Sequence, residues 1–171
     1  MGVAGMWYGC GNTSLSNPST IRLGLKPSGR IALHQGAVDI GQGSNTVIAQ
    51  IAAQARGAPL DLIDLVSADT DKTPDCGKTS ASRQTFVTGK AAELAGRALR
   101  AEILRRANAG ANADIAFTPG VISVRDGGRE QRLDLAAFAR DAQGYALCVE
   151  ETFDPPTSPL DGDGQGEPYA V

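Results

Sequence analysis

The hydrophobic pattern of residues 21–55 predicts a β-hairpin followed by an amphipathic helix. Apolar residues dominate two short runs, 21–25 and 30–38, and the Lys-Pro-Ser-Gly segment between them suits a tight turn. From Ser44 onward the apolar positions recur at helical spacing, and Gly57 and Pro59 end the pattern. The residues expected on the buried face of this helix are Val47, Ile48, Ile51, Ala52 and Ala55.

A second apolar run and a second helical pattern follow. The branched residues of 62–68 predict a largely buried strand, because short continuous apolar runs are typical of strands covered on both faces. From Ser82 to about Ala107 the spacing predicts a long helix that backs a sheet. Its expected apolar face comprises Val87, Ala91, Leu94, Ala95 and Ala98, and its expected solvent face carries Lys90, Glu93, Arg97, Arg100, Glu102, Arg105 and Arg106.

The last third of the chain predicts a hairpin, a short helix and a closing strand. Residues 108–113 are typical of a loop. The runs 121–124 and 129–133 flank an Asp-Gly step that favours the backbone of a hairpin turn. Residues 134–141 predict a short helix, and 145–152 predict a strand.

Both ends of the chain have strand-like segments, at 2–9 and 167–171, which suggests that the chain is a piece of something longer. Residues 153–171 are rich in proline and glycine and predict a loop-like tail. The whole pattern predicts one α+β domain over 1–171, in which mixed sheet hairpins pack against two main helices.

Composition narrows the class of protein. The chain has 171 residues, of which 42% are hydrophobic, enough for one domain with a core. Its net charge of -3 predicts no overall attraction to nucleic acid or to membranes. No stretch approaches the roughly 18 to 20 apolar residues that span a bilayer, and the N-terminus lacks the features of a signal peptide. We therefore expect a soluble, cytoplasmic protein.

The potential metal ligands are sparse. Cys10, Cys76 and Cys148 lie far apart in the sequence and form no Cys-x-x-Cys pair, so the spacings of zinc and iron-sulfur sites are absent. The single histidine, His34, follows apolar residues of a predicted strand and is expected to be packed or on the surface. The segment 161–166 resembles the opening of a calcium loop, but Gln165 replaces the usual Asp or Asn and flanking helices are lacking.

Two segments rich in glycine and hydroxyl groups carry the candidate chemistry. Gly41-Gln42-Gly43-Ser44 and Gly77-Lys78-Thr79-Ser80-Ala81-Ser82 each precede a predicted helix. A helix start leaves about four N–H groups unpaired and carries roughly half a positive charge, so it binds anionic groups. We expect the two segments, which bracket one strand, to converge on a single anionic cofactor.

Plainer interpretations of each segment stay open. Ser44 is a natural helix cap, and the hydroxyl-rich run before the long helix could be a cap as well. Gly77-Lys78-Thr79 mimics the end of a P-loop, but the full pattern needs a glycine at position 72, which is lysine. The side chains of Thr79, Ser80, Ser82, Arg83 and Gln84 remain able to satisfy a phosphate or a heterocycle.

Taken together, these residues resemble the molybdenum hydroxylases, the xanthine dehydrogenase and aldehyde oxidoreductase family. The resemblance covers nearly the whole chain and corresponds to part of the second half of the family's molybdopterin-binding subunit. It rests on Met6-Trp7-Tyr8-Gly9, Gly11-Asn12-Thr13, Asn17-Pro18-Ser19-Thr20, Asp39-Ile40-Gly41-Gln42-Gly43-Ser44, Ala68-Asp69-Thr70-Asp71 and Gly77 to Gly89.

The resemblance implies molybdopterin with molybdenum as the cofactor, in its cytosine dinucleotide form. The family's Gly-Gln-Gly segment falls on Gly41, Gln42 and Gly43, with Ser44 following, and its second cofactor loop falls on residues 79–84. Ala81 would lie nearest the metal. The implied reaction is hydroxylation of an aldehyde or an N-heterocycle with a water-derived oxygen, in which a glutamate acts as the base.

The resemblance also implies what lies on other polypeptides or domains. Glu167, in a Gly-Gln-Gly-Glu context, imitates the catalytic glutamate, but its flanking residues resemble a stretch well upstream of that base. We assign no catalytic residue here and expect the base beyond Val171. The rest of the molybdopterin subunit, an iron-sulfur subunit and a flavin subunit are the implied partners, so the isolated chain should not turn over. A natural split subunit and a truncated fragment are both open, as are a nucleotide-binding module and a noncatalytic remnant.

Overall fold

The computed structural model describes residues 1–6 and 14–167, and its larger sheet has four strands. Strand β1 (Ser19–Leu25) lies inside this sheet, antiparallel to β2 (Ile31–His34) and to the last strand of the described residues, β7 (Leu147–Phe153). Strand β3 (Ile63–Val66) pairs in parallel with β2 and forms one edge. The sheet order is therefore β3-β2-β1-β7.

Helix α1 (Ser44–Arg56) joins the two parallel strands. Parallel neighbours cannot be joined by a tight turn, so the chain crosses over through a helix between β2 and β3. The carboxyl ends of β2 and β3 consequently lie at the same edge of the sheet. In parallel sheets this is the edge where ligand crevices form.

Helix α2 (Gly89–Arg106) packs against α1 and covers the sheet. The helices approach closely at Gly96, where a Cβ atom would lie 2.8 Å from the carbonyl oxygen of Ala52. The two-residue period of β1 directs its apolar side chains into the core between sheet and helices. The fully buried members of this core include Ile21, Leu23, Leu25, Ile31, Leu33, Ile48, Leu99 and Ile103.

A three-stranded antiparallel sheet completes the described part of the chain. It consists of β4 (Asp114–Thr118), β5 (Val121–Asp126) and β6 (Arg129–Asp134), in that order. Its contact with α1 includes Arg56, whose completely buried guanidinium lies 4.5 Å from the centre of the Phe117 ring. Burial lowers the pKa of Arg56 to about 10.

The α+β class and both main helices agree with the sequence prediction, but several boundaries do not. The predicted strand at 62–68 is shorter and only half-buried, because it lies at the sheet edge with a neighbour on one side. The predicted extended run 30–38 is a strand only as far as His34. The predicted helix at 82–107 begins with a π-helical turn, Gln84–Thr88, before α2 itself.

The C-terminal half differs in three further places. Strand β4 was not predicted, because its alternating exposed and half-buried residues give only a weak apolar signal. The predicted short helix at 134–141 is a single 3₁₀ turn, Leu135–Ala137, and another such turn, Leu60–Leu62, precedes β3. Residues 154–167 form no helix or strand, whereas Phe153, the first residue of the predicted tail, ends β7.

The strand predicted at the N-terminus is wrong over residues 2–6, and the other terminal predictions cannot be compared with the structure. Residues 2–6 are exposed and form no strand, because they have no neighbouring strand within the described residues to pair with. The rest of the predicted strand 2–9, the matching motifs within 7–13 and the strand-like end at 168–171 lie outside the described residues. No helix in the described part of the chain is long and apolar enough to cross a membrane.

Candidate cofactor site

Two loops leave the sheet at the shared carboxyl edge of β2 and β3. The first loop comprises residues 35–43, between β2 and α1, and the second loop comprises residues 76–82, before the π-helical turn. His34 and Val66 are in register at the ends of the two strands, and the Gln35 N–H donates to the Val66 carbonyl at 3.0 Å. The parallel pairing therefore brings two distant parts of the sequence to one place.

Direct hydrogen bonds join the two loops at Val38. The carbonyl oxygen of Val38 accepts from the Thr79 hydroxyl at 2.9 Å and from the Gln42 side-chain amide at 3.3 Å. A second link runs from the Gly36 N–H to the Cys76 sulfur, at 3.2 Å. A hydroxyl group of the second loop and an amide group of the first thus meet at one backbone atom.

The start of α1 already holds a carboxylate of this chain. The Asp39 side chain accepts hydrogen bonds from the backbone N–H groups of Gly41, Gly43 and Asn45, at 2.8, 3.3 and 3.3 Å. These bonds, the Gly41 bond above all, hold the pKa of Asp39 below its usual range. The anion attracted by this helix start is therefore supplied by the loop itself.

Ser44 does not cap the helix, so the plainer interpretation of this segment is wrong. The N-cap is Gly43, in the left-handed region at φ 79°, and Ser44 is the first helical residue. The Ser44 side chain points inward, and its hydroxyl is buried with no hydrogen-bond partner within the described residues. The side-chain oxygen of buried Gln35 is likewise unpartnered, although its amide nitrogen donates to Asn45 at 2.6 Å.

The outer surface of the first loop is open backbone. Gly41 has φ 102°, and Cβ atoms built on Gly41 and Gly43 would meet nothing within 4 Å. Gln42 is exposed, and its side-chain oxygen accepts from the Ile40 N–H at 2.7 Å, which folds the side chain back over the loop. A flat ligand could approach this backbone closely, since no Cβ stands in the way.

The second loop contains two consecutive non-glycine residues in the left-handed region. Ala81 and Ser82 have φ 52° and 54°, a conformation that costs about 1–2 kcal/mol per residue. Ala81 is buried, whereas Ser82 is exposed. Strain of this kind persists only where surrounding contacts fix it, and it clusters at functional sites.

Arg83 and Gln84 hold this strained turn from beneath. The buried Arg83 guanidinium donates to the carbonyl oxygens of Cys76, Lys78, Asn17 and Pro18, the last two at 2.9 and 2.8 Å. The Gln84 amide donates to Lys78 and to the Thr79 hydroxyl, at 3.2 and 3.0 Å. Both side chains are thus engaged by the protein's own groups.

Free hydroxyl groups lie above these anchors. Within the described residues, the Ser80 and Ser82 hydroxyls make no hydrogen bond. Ser82 also borders an open groove of about 1130 Å³ between α1 and α2, whose lining includes Thr85, Phe86 and Phe153. The expected site therefore separates into outward-facing donors and inward-facing supports.

His34 and Cys76 lie beside the two loops, and their side chains form hydrogen bonds to other groups of the protein. The His34 Nδ1 lies 2.9 Å from the Lys72 carbonyl oxygen, so Nδ1 carries the proton, and Nε2 accepts from the Tyr145 hydroxyl at 2.7 Å. Burial lowers the pKa of His34. The described residues contain no group of three or more His, Cys, Asp or Glu side chains that could hold a metal ion. In the segment 161–166, which resembles the opening of a calcium loop, the Asp161 carboxylate accepts hydrogen bonds from the backbone N–H groups of Asp163 and Gln165.

Sequence reasoning missed Val38 and Asp39. Asp39 left a usable signal, because an aspartate two residues before a glycine commonly accepts from that glycine's N–H in a turn. Val38 left none, since it acts through its carbonyl oxygen, which every residue possesses.

Comparison with known proteins places this geometry in a family. A family model of the molybdopterin cofactor-binding domain matches residues 1–171. The chain is 30% identical over 147 residues to a putative xanthine dehydrogenase molybdenum-binding subunit of Escherichia coli, covering 81% of this chain and 20% of that protein. It is 34% identical over 119 residues to the gamma subunit of the 6-hydroxypseudooxynicotine dehydrogenase complex of Paenarthrobacter nicotinovorans, covering 67% and 15%.

A solved structure agrees with these relatives. The aldehyde oxidoreductase of Desulfovibrio desulfuricans superposes with a TM-score of 0.62 and 26% identity, over 95% of this chain and 16% of that protein. The chain thus spans a fifth or less of the length of these three proteins. The match over the entire sequence and the shared fold establish that the chain belongs to the molybdopterin cofactor-binding domain family.

Proposed function

We propose that this chain supplies two loops that hold the molybdenum cofactor of an oxidoreductase, which hydroxylates an aldehyde or an N-heterocycle with a water-derived oxygen. The observation that carries the proposal is the junction at Val38, where Thr79 of the second loop and Gln42 of the first meet. The family match and the named activities of the relatives support the same conclusion.

The residues present fit a phosphate-bearing pterin. The open backbone at Gly41 and Gly43 permits close approach of a flat ring. The unbonded hydroxyls of Ser80 and Ser82 are available as donors to a phosphate or a heterocycle. Lys78 is exposed beside them and adds a positive charge. The cofactor, when bound, supplies the metal centre that carries out the oxidation.

Each residue then has a distinct task. Gln42, whose amide bonds to Ile40 and Val38, would offer its second amide hydrogen and second oxygen lone pair to the polar edge of the heterocycle, and Ser80 and Ser82 would donate their hydroxyl protons to the ligand. Ala81, which would lie nearest the metal, is held in a left-handed conformation. Thr79, Arg83 and Gln84 fix the second loop, and Ser44 is buried at the start of α1.

The nucleotide-binding alternative is not favoured, because the family match is to a molybdopterin cofactor-binding domain. The Asp39 carboxylate already takes three N–H groups at the start of α1 and would repel a phosphate of either ligand there. The phosphate donors of this proposal are therefore those of the second loop. A noncatalytic remnant would retain the fold without the cofactor, and only cofactor content distinguishes it.

The remaining features of the assembly are part of the proposal. The cofactor is the cytosine dinucleotide form, and iron-sulfur clusters and FAD reside on partner subunits or domains that carry the electrons away. The rest of the molybdopterin-binding subunit completes the cleft and supplies the base. The buried thiol of Cys76 and the exposed thiol of Cys148 are both free, in keeping with a cytoplasmic location.

Cofactor content tests this proposal directly. The chain is co-expressed with the polypeptides encoded in neighbouring frames, and purified complexes are assayed for molybdenum, for pterin and for cytidine nucleotide released by hydrolysis. We expect all three in wild-type material. Ser82→Ala should lower pterin content about tenfold, the effect of losing about 1.4 kcal/mol of binding free energy.

A matched control is available on β5. Ser123→Ala also removes a hydroxyl that makes no hydrogen bond within the described residues, and it should leave cofactor content unchanged. Wild-type complexes without molybdenum and pterin would contradict the proposal, and bound ATP in their place would favour the nucleotide-binding alternative. Equal losses in both variants would remove Ser82 from the site.

A further inference from the structure

A directed chain of hydrogen bonds connects the core of the protein to both loops. It begins at Ser19 in β1, whose hydroxyl lies 2.7 Å from the Thr88 hydroxyl. Thr88 donates to the Gln84 side-chain oxygen at 2.5 Å, and the Gln84 amide donates to the Thr79 hydroxyl at 3.0 Å. Thr79 in turn donates to the Val38 carbonyl.

The direction of this chain is fixed by proton counting. Thr88 has one hydroxyl proton and donates it to the Gln84 side-chain oxygen, so Ser19 must be the donor to Thr88. The Gln84 side-chain oxygen accepts one hydrogen bond and its side-chain nitrogen donates the next, which sets the orientation of the amide. Each bond polarises the next in the same direction, and buried networks of this kind are strong only when every member is satisfied.

Three residues of this hydrogen-bond chain are buried away from water. Ser19 and Thr88 are completely buried, and Gln84 is 4% exposed. Gln84 is the first residue and Thr88 the last residue of the π-helical turn that leads into α2. Such turns occur frequently at functional sites. Loss of one link would therefore leave a polar atom without water to replace its partner, which costs more than an exposed link.

We propose that Thr88 and Ser19 are positioning residues for the cofactor loops. Both side chains are completely buried, so they are not exposed to a ligand at the surface of the loops. They act through Gln84 and Thr79, which hold the strained Ala81–Ser82 turn against the first loop. This inference rests on the proposed function for its purpose, but the mechanical link between residues 88 and 79 can be tested without any cofactor.

Thr88→Val is the decisive variant, because valine keeps the shape of threonine and removes the hydroxyl. Hydrogen exchange of the full chain, followed by mass spectrometry over residues 76–84, reports the opening of the second loop. We expect exchange there to accelerate about tenfold, the equivalent of about 1.4 kcal/mol. Thr88→Ser keeps the hydroxyl and should restore wild-type exchange.

A matched control lies on the same sheet. Thr20 and Thr152 form an exposed hydroxyl pair at the same 2.7 Å distance, so Thr152→Val removes a hydroxyl–hydroxyl bond that is not part of the path from Ser19 to Val38. The variant leaves intact the backbone bonds of Thr20 to Asp75 and Cys76. We expect its exchange over 76–84 to equal that of the wild type. Should Thr88→Val fail to fold, Ser19→Ala removes only the first link and should accelerate the same exchange several-fold.

The outcomes separate this inference from the proposed function. Wild-type exchange in both Thr88→Val and Ser19→Ala, or failure of Thr88→Ser to restore it, would overturn the positioning role. In the co-expressed complex, Thr88→Val should also lower molybdenum content about tenfold relative to Thr152→Val. A wild-type complex without molybdenum would refute the proposed function, while the exchange experiment would still decide the role of Thr88.

Discussion

A Cβ atom at position 36 would collide with the carbonyl oxygen of Pro74, in the backbone that leads into the second loop. Gly36 also donates its N–H to the Cys76 sulfur. No flexible group can yield here, because the obstructing atom belongs to the main chain. A glycine is therefore required for the two loops to meet.

Gly36→Ala should push the loops apart and lower the free energy of unfolding by about 1–3 kcal/mol, as overpacking of a close contact does. Urea denaturation measures the change. Gly162→Ala is the control, since a Cβ there meets nothing within 4 Å and should leave the unfolding midpoint unchanged. Equal stability of the two variants would mean that the loops separate at no cost.

Arg83→Lys should destabilise the second loop although it keeps the charge. The guanidinium reaches carbonyl oxygens in two separate segments, around residues 17–18 and 76–78, and an ammonium group cannot span them. We expect a loss of about 1.5–3 kcal/mol in the free energy of unfolding. Arg129→Lys, on the exposed hairpin of the second sheet, should change it little. Indistinguishable urea midpoints for the two variants would argue against the anchoring role.

Arg56→Met should stabilise the protein. The Arg56 guanidinium is completely buried, and none of its three nitrogens has a hydrogen-bond partner within the described residues. Stacking on Phe117 offsets this by only about 0.5–2 kcal/mol, whereas burial of an unpaired charge costs several kcal/mol. Methionine fills similar space without the charge, and we expect a gain of about 1–4 kcal/mol in thermal or urea unfolding.

The exposed Arg132→Met is the matched control for this substitution and should leave stability unchanged. A decrease in the Arg56→Met variant would show instead that contact with the Phe117 ring outweighs the cost of burying the charge.

Stability should fall as the pH drops from 7 toward 5.5 because of His34. Burial lowers the pKa of His34, so the unfolded chain binds the proton more readily than the folded chain in this range. Protonation would also place a second N–H at Nε2, which now accepts from Tyr145. The chain has one histidine, so a single Cε1–H resonance reports its pKa by NMR.

We expect that resonance to titrate below the ordinary value of about 6.5. His34→Gln should flatten the dependence of unfolding free energy on pH between 7 and 5.5, a window above the carboxylate range. A titration midpoint at or above 6.5 would contradict the assignment of a buried, neutral imidazole.

Local signals explain what the sequence predicts correctly. The turn between β1 and β2 and the end of α1 each depend on residues within a few positions of one another, and Gly57 adopts the left-handed conformation expected of a helix C-terminus. The glycine and hydroxyl patterns also mark both loops, because close backbone approach and polar donors are properties of the residues themselves. Local signals of this kind do not predict that β3 lies at the edge of the sheet, because that position depends on which strands are its neighbours.

The sequence by itself therefore determined the two main helices, the hairpin turns, the two candidate loops and, through its resemblance, the family. Tertiary structure alone decided that β2 and β3 run in parallel and so bring residues 38 and 79 together. It also decided that Arg83 and Gln84 face inward and that Asp39 occupies the start of α1. The physical reason is that a side chain's partners are set by burial and long-range strand pairing, which one sequence position does not record.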